Sequence, residues 1–320
     1  MRAFVIASTL AAAVQAAAAT LSYVAEIDRP EKPEALSSLS FVSNGVYLSA
    51  TDWHPALYEL SVVAADNGRS PDLSIARKCD LEGAKDVEGV AWDPLRGTVW
   101  IADEVNAVVS EHDPTTGRRL GKLETPEVFR KFRRTFGLES LCISPNGLEM
   151  WLANEEALSC DGPRSAPKGG TRVRLARFSR RNGEDAWRAD GQFAYVTESM
   201  SGSALAKGCR LGLVGLCVLE SGVLLALERE FSFSLFPRIC TRVFSVKVDG
   251  ATDVSSIAAL EGAEFVPAAK SLLYAANTGF AMYEGIAAAP VEADGSRPVD
   301  RGSDGDHAML MKLRVLRLSP

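Results

Sequence analysis

One unit recurs along this chain: an apolar strand-like run, a turn containing glycine, a second apolar run, and then acidic residues. The first copy runs from Leu39 to Val42, turns at Asn44-Gly45, continues from Val46 to Ala50 and reaches Asp52. The second spans Val87 to Trp92, a turn ending at Gly97, Thr98 to Ala102, and Asp103-Glu104. The third spans Leu138 to Ile143, a turn at Gly147, Leu148 to Ala153, and Asn154-Glu155-Glu156. A fourth spans Val214 to Val218, Gly222, Val223 to Leu227, and Glu228-Arg229; a fifth opens at Tyr283-Glu284-Gly285. Short apolar runs separated by regular turn signals are the pattern of all-β chains.

The intervals make the copies one unit. Glu88 to Glu104 and Glu139 to Glu155 are both 16 residues, and Glu88 to Glu139 is 51. A β-rich period of about 40–50 residues points to a β-propeller of four-stranded blades. About 300 residues at about 50 per blade predict six blades. A β-sandwich or two small β domains would match the composition but not this order of residues. Closing the ring leaves few sheet edges open to solvent.

The spacing also brings acids together. A hairpin sets the start of its first strand beside the end of its second. Glu88 is therefore expected beside Asp103 and Glu104, and Glu139 beside Glu155 and Glu156. If these hairpins are innermost, carboxylates from several blades meet at one mouth of the central channel. Like charges that close repel unless a cation or an arginine compensates. A hard cation such as calcium suits an all-oxygen site. The expected metal ligands are Glu88, Asp103, Glu104, Glu155 and Glu284. Glu139, Glu228 and Arg229 are the expected catalytic residues, with Arg229 handling a substrate anion or neutralising the ring. The competing view is that these acids cap turns and pair with local arginines.

The first residues read as a targeting signal. Met1-Arg2 is followed by an uncharged, alanine-rich stretch that ends in Ala17-Ala18-Ala19, a small-residue cleavage pattern. That predicts a signal peptide over residues 1–19 and one domain over 20–320, secreted or periplasmic. A membrane anchor asks for a more apolar run than one carrying Ser8, Thr9 and Gln15. No membrane span is expected in the mature chain, which is read as a monomer. Six cysteines fit an oxidising compartment, and Cys160 with Cys209 is the expected disulfide, because both lie in polar segments. A net charge of −6 argues against a nucleic-acid partner.

These segments resemble the phytase-like domain family, described as "esterase-like activity of phytase". The resemblance rests on Asp86-Val87-Glu88-Gly89-Val90-Ala91, Trp100-Ile101-Ala102-Asp103-Glu104, Gly137-Leu138-Glu139-Ser140-Leu141, Asn154-Glu155-Glu156-Ala157-Leu158, Leu225-Ala226-Leu227-Glu228-Arg229 and Tyr283-Glu284-Gly285-Ile286-Ala287. It runs from about residue 35 to about residue 290. It implies a single propeller-like domain and only weakly a reaction. The terminal acidic position usual in the family is missing, or replaced by Asp304 and Asp306. The Asp-rich calcium motif of propeller phytases is also missing, so phytate hydrolysis is not implied.

Other motifs add little. There is no G-x-S-x-G elbow, and the three histidines, His54, His112 and His307, form no recognisable triad. The basic run Arg130 to Arg134 reads as a solvated face of a short helix. Arg172 and Arg174 share one face of a strand, read as an outer, solvated one. Trp92, Trp100 and Trp151 read as packing between blades. Two functions remain open: a metal-dependent phosphoester or carboxylester hydrolase acting on a small anionic or ester ligand, and a non-catalytic binding propeller with a structural ion.

Overall fold

The computed structural model describes residues 19–29, 36–52, 54–63, 72–133, 137–201, 209–233, 237–279, 281–304 and 311–319. The expected signal peptide, apart from Ala19, lies outside the described residues, as do Arg134, Asp306 and His307. Among the described residues, twenty strands form five four-stranded antiparallel sheets. Blade I holds β2 (Ser40–Ser43), β3 (Val46–Ala50), β4 (Ala56–Val63) and β5 (Asp72–Asp80). Blade II holds β6 (Val87–Asp93), β7 (Thr98–Asp103), β8 (Val108–His112) and β9 (Arg119–Leu123). Blade III holds β10 (Leu138–Ile143), β11 (Glu149–Asn154), β12 (Arg172–Ser179) and β13 (Arg188–Val196). Blade IV holds β14 (Arg210–Val218), β15 (Leu224–Phe233), β16 (Pro237–Lys247) and β17 (Ala269–Gly279). Blade V joins both ends of the chain: β18 (Met282–Ala288), β19 (Arg297–Asp304), β20 (Met311–Ser319) and, outermost, β1 (Thr20–Arg29).

The propeller therefore has five blades, not the expected six. The first strands start at intervals of 47, 51, 72 and 72 residues. The period of 51 holds only for the first half. In blades III and IV, long loops after β11, β13 and β16 lengthen the unit without adding strands. The repeated hairpins themselves are present as β2–β3, β6–β7, β10–β11 and β14–β15. Their first strands, with β18, pack against one another and line the axis.

The apolar core is divided among the gaps between blades. Leu48, Leu57, Val90 and Ile101 fill the gap between blades I and II. Trp100, Leu138, Leu152 and Phe178 fill the next, and Trp151, Val173, Leu213 and Phe244 the one after. Trp100 and Trp151 are buried and Trp92 packs against the cluster between blades I and II, so all three serve packing between blades, as the sequence implied. Tyr47 of β3 donates a hydrogen bond to Asp300 of β19 and ties the first blade to the last. Arg174 is fully buried and forked onto Asp161, so its face is not the solvated one expected. Buried charges persist where such pairing satisfies them. None of the six cysteines is bridged, and the expected Cys160–Cys209 disulfide is not formed. The basic run lies partly in a short 3-10 helix, Glu127–Lys131, and Arg133 donates to the carbonyls of Ala157 and Gly162. Among the described residues no helix is long and apolar enough to cross a membrane.

Candidate functional site at the acidic channel mouth

Four of the five inner strands share one irregularity. Register slips by one residue at Glu88 in β6, Glu139 in β10, Val214 in β14 and Glu284 in β18. A bulge of this kind leaves one residue out of the ladder and re-aims its side chain. All four residues line the narrow axial channel. Three of the four are glutamates, each from a different blade. The inner strands thus assemble a carboxylate cluster from residues far apart in sequence.

The acids that follow the second strands sit close by but are differently engaged. Asp103 accepts the backbone N–H of Lys85 at 2.8 Å and of Asn106 at 2.9 Å, and the Asn106 amide at 2.7 Å. It caps a turn. Glu104 accepts the Gly137 N–H at 2.6 Å, tying blade II to blade III. Glu156 is forked by Arg164. Arg229, 2% exposed, bonds Glu155 Oε1 at 3.2 Å and also pairs with Glu284. That single guanidinium joins carboxylates from blades III and V. Glu228, its neighbour on β15, faces the other way and is fully buried. It accepts hydrogen bonds from Tyr195 at 2.6 Å and the Glu198 N–H at 3.1 Å, and from Lys270 at 2.8 Å. The structure therefore gathers Glu88, Glu104, Glu139, Glu155, Glu284 and Arg229 at the mouth, and sets Glu228 apart in the gap between blades III and IV.

Glu88 and Glu139 differ from the rest. Among the described residues, no hydrogen bond or ion pair reaches either carboxylate. Burial pushes both well above the ordinary glutamate range. For Glu88 the charges of Glu139, Glu104, Asp86 and Asp52 add to the shift. For Glu139 those of Glu155 and Glu104 add, while Arg229 and Arg210 oppose. Asp86 is pushed up to about 6, by burial first and then by Asp52 and Asp103. One carboxylate oxygen each from Asp52, Asp86 and Glu88 lie within 4.8 Å of one another. These three come from two blades and face a common point, which is the oxygen-only donor set that a hard cation takes.

Asp52, Asp86 and Arg210 were not singled out as site residues by the sequence. Asp52 ends the first repeat as Asp103 ends the second, so its position in the repeat was the available signal. Asp86 directly precedes the second repeat. Arg210 opens β14, where the other blades carry no matching cation, and no pattern marks it. It feels the charges of Glu155, Glu139, Glu156 and Glu88. The two described histidines take no part: His112 is buried against Ser110 Oγ at 2.8 Å and the Gly117 carbonyl at 3.0 Å, and His54 is exposed.

No curated protein matches the chain. Among solved structures, it resembles the tail fibre of Staphylococcus aureus phage P68 with a TM-score of 0.47 and 9% identity, over 93% of this chain and 52% of that one. It resembles the endo-arabinase from Bacteroides thetaiotaomicron VPI-5482 with a TM-score of 0.45 and 12% identity, over 92% and 96%. For Kuenenia stuttgartiensis hydrazine synthase the values are 0.36 and 10%, over 86% and 58%. The chain thus spans only part of two of these three, and likenesses this remote carry no argument about chemistry. The sequence itself matches the phytase-like family, "esterase-like activity of phytase", over residues 32–307, and the chain belongs to that family.

Proposed function

We propose that the acidic mouth binds a hard divalent cation, calcium by its donor set, and that the protein acts outside the cytoplasm as a metal-dependent hydrolase of small phosphoesters or carboxylesters. One observation carries this reading: Asp52, Asp86 and Glu88 converge within 4.8 Å beside Glu139, a buried glutamate with no hydrogen-bond partner among the described residues. Leaving Glu88 and Glu139 uncompensated is costly, and a cation removes the cost. Asp52, Asp86 and Glu88 would hold it, with Glu104 and Glu155 nearby. When bound, such a cation supplies Lewis-acid polarisation of an ester oxygen and a more acidic water. Glu139, with its raised proton affinity, would accept a proton at a carboxylate oxygen as general base. Arg229 fixes Glu155 and Glu284 and lowers the negative charge that an anionic substrate would meet. Glu228 and Asp103 would act only by supporting the surrounding loops.

A second reading draws on Arg229 itself. Its guanidinium is engaged with two carboxylates rather than turned towards an incoming anion. That favours a binding propeller in which ion and arginine together hold the channel closed. Elemental analysis of the purified mature protein, followed by assays on generic phosphate and carboxylate esters with and without chelator, separates the two. Bound calcium with chelator-sensitive turnover supports the hydrolase, and Glu139→Gln should then abolish turnover with the fold intact. Bound calcium without turnover supports the binding propeller. Absence of any divalent ion overturns both.

A further inference from the structure

The same inner strands build a second, chemically opposite cavity at the far end of the axis. Two residues beyond the bulges stand Val90, Leu141, Leu216 and Ile286, and blade I contributes Leu39. These five aliphatic side chains, one per blade, are all buried and form a ring across the channel. On the acidic side of the ring only about 10 Å³ is open, about the room of one water. Backbone approach closes the axis there. A Cβ on Gly285 would lie 2.6 Å from the Leu39 backbone nitrogen, and one on Gly215 2.8 Å from the Glu284 carbonyl oxygen. On the other side of the ring a cavity of about 250 Å³ opens towards solvent. It is a blind vestibule and not a through-pore.

Among the described residues, no charged side chain lines this vestibule. Its walls add Trp92, Ile143, Val218 and three prolines to the aliphatic floor, with Cys142 and Cys217. The two serines are engaged locally. Ser40 Oγ accepts the Trp92 N–H at 2.9 Å. Ser144 Oγ donates to Asn146 at 2.7 Å and accepts the Glu149 N–H at 2.9 Å. Ligand sites are concave and mostly apolar, with few polar groups. An apolar protein cavity of about 150 Å³ already takes up benzene or xenon. A charged ligand would lose its hydration here and find no counter-charge.

We infer that the vestibule opposite the acidic mouth is a binding site for a small, uncharged, largely apolar molecule carrying an aromatic ring or a short alkyl chain. The proposal is independent of the metal reading, because the aliphatic ring separates the two ends of the axis. The test is a fluorescence titration with the neutral probe N-phenyl-1-naphthylamine, run in chelator so that any channel cation plays no part. Wild type should give saturable enhancement with one site per chain. Ala288→Trp, which fills the rim, and Ile143→Lys, which places a charge in the wall, should each weaken binding at least tenfold. No saturable enhancement, or unchanged affinity in folded samples of both variants, overturns the site. Should either variant fail to fold, wild-type crystals under xenon pressure decide: xenon on the aliphatic ring supports the site, and ordered water there without xenon overturns it.

Discussion

Arg229 and Asp300 show how single buried charges hold separate blades together, and each gives a distinct expectation. Arg229 is the counter-charge to Glu155 and Glu284, so removing it strands two carboxylates in a nearly dry channel. Breaking a buried pair from one side costs about 3–5 kcal/mol. Arg229→Met is expected to lose about that much at pH 7.5 in denaturant unfolding, and less at pH 5, where a stranded carboxyl can take a proton. Arg229→Lys should recover only part of it, because an ammonium cannot fork between two partners. Equal stability of Arg229→Met and wild type would mean that the pairs contribute nothing net. Asp300 is pushed up to about 6 by burial, against the lowering effect of the Tyr47 hydrogen bond. Its folded-state value thus lies above the ordinary aspartate value of about 3.9. The stability it contributes is complete below about pH 4 and is lost as pH rises through about 6. Asp300→Asn deletes this titration while an amide oxygen can still accept from Tyr47. The stability of the variant minus that of wild type should rise by up to about 3 kcal/mol between pH 4 and pH 8. A flat difference across that range would refute the assignment.

Among the elements, the inner strands carry the site, and their bulges and glycines do so together. The bulge aims one side chain into the channel, and the next residue must be small enough for strands of neighbouring blades to meet. Gly285 is the tightest case, because an added methyl would strike backbone atoms of Ser38 and Leu39 at 2.6 Å. Gly285→Ala is expected to cost about 1–3 kcal/mol through forced backbone shifts. Gly169→Ala, where nothing lies within 4 Å, should be close to neutral in the same melts. Similar melting temperatures for the two would remove the argument from close approach. The contrast also marks what was legible in the sequence. The hairpins and the acid after each were readable, because they repeat at fixed spacing, whereas the inner placement of the first strands entered only as a condition. The fate of Arg174 was not. Two arginines two apart on a strand resemble a solvated face, and the loop after β16 buries Arg174, while Arg172 stays partly exposed. That loop brings the Val254 and Ile257 carbonyls onto the guanidinium, and the Leu260 N–H onto Asp161, from 80 or more residues away. Glu228 was misjudged for a related reason. It adjoins Arg229 in sequence, but successive residues of a strand face opposite ways.

At the scale of the whole molecule, ring closure turns a linear repeat into a polarised axis. Five blades suffice because the later units are longer, which a period measured between the second and third copies could not reveal. Closure by β1 on β20 places the two ends of the chain in one blade and holds all inner strands in a common orientation. The bulges of β6, β10, β14 and β18 then face the same mouth, and the aliphatic residue two positions later in each faces the same floor. Negative charge accumulates at one end for a topological reason, whatever its use. If calcium compensates that charge, calcium must stabilise the fold, since binding to the native state alone adds RT ln(1 + [L]/Kd). At a hundred times Kd this is about 2.7 kcal/mol, or roughly 5–10 °C in melting temperature for a chain of this size. Protons compete for the same oxygens, so the calcium-induced shift should be larger at pH 8 than at pH 5. Asp86→Asn should abolish the shift, because it removes one of three converging ligands. Asp300→Asn should preserve it, because that carboxyl serves the seam between blades V and I and not the mouth. A shift retained in Asp86→Asn would place the ion elsewhere. With no shift in any variant, the two arginines facing the mouth would have to balance the ring, and Glu88 and Glu139 would then carry protons at neutral pH.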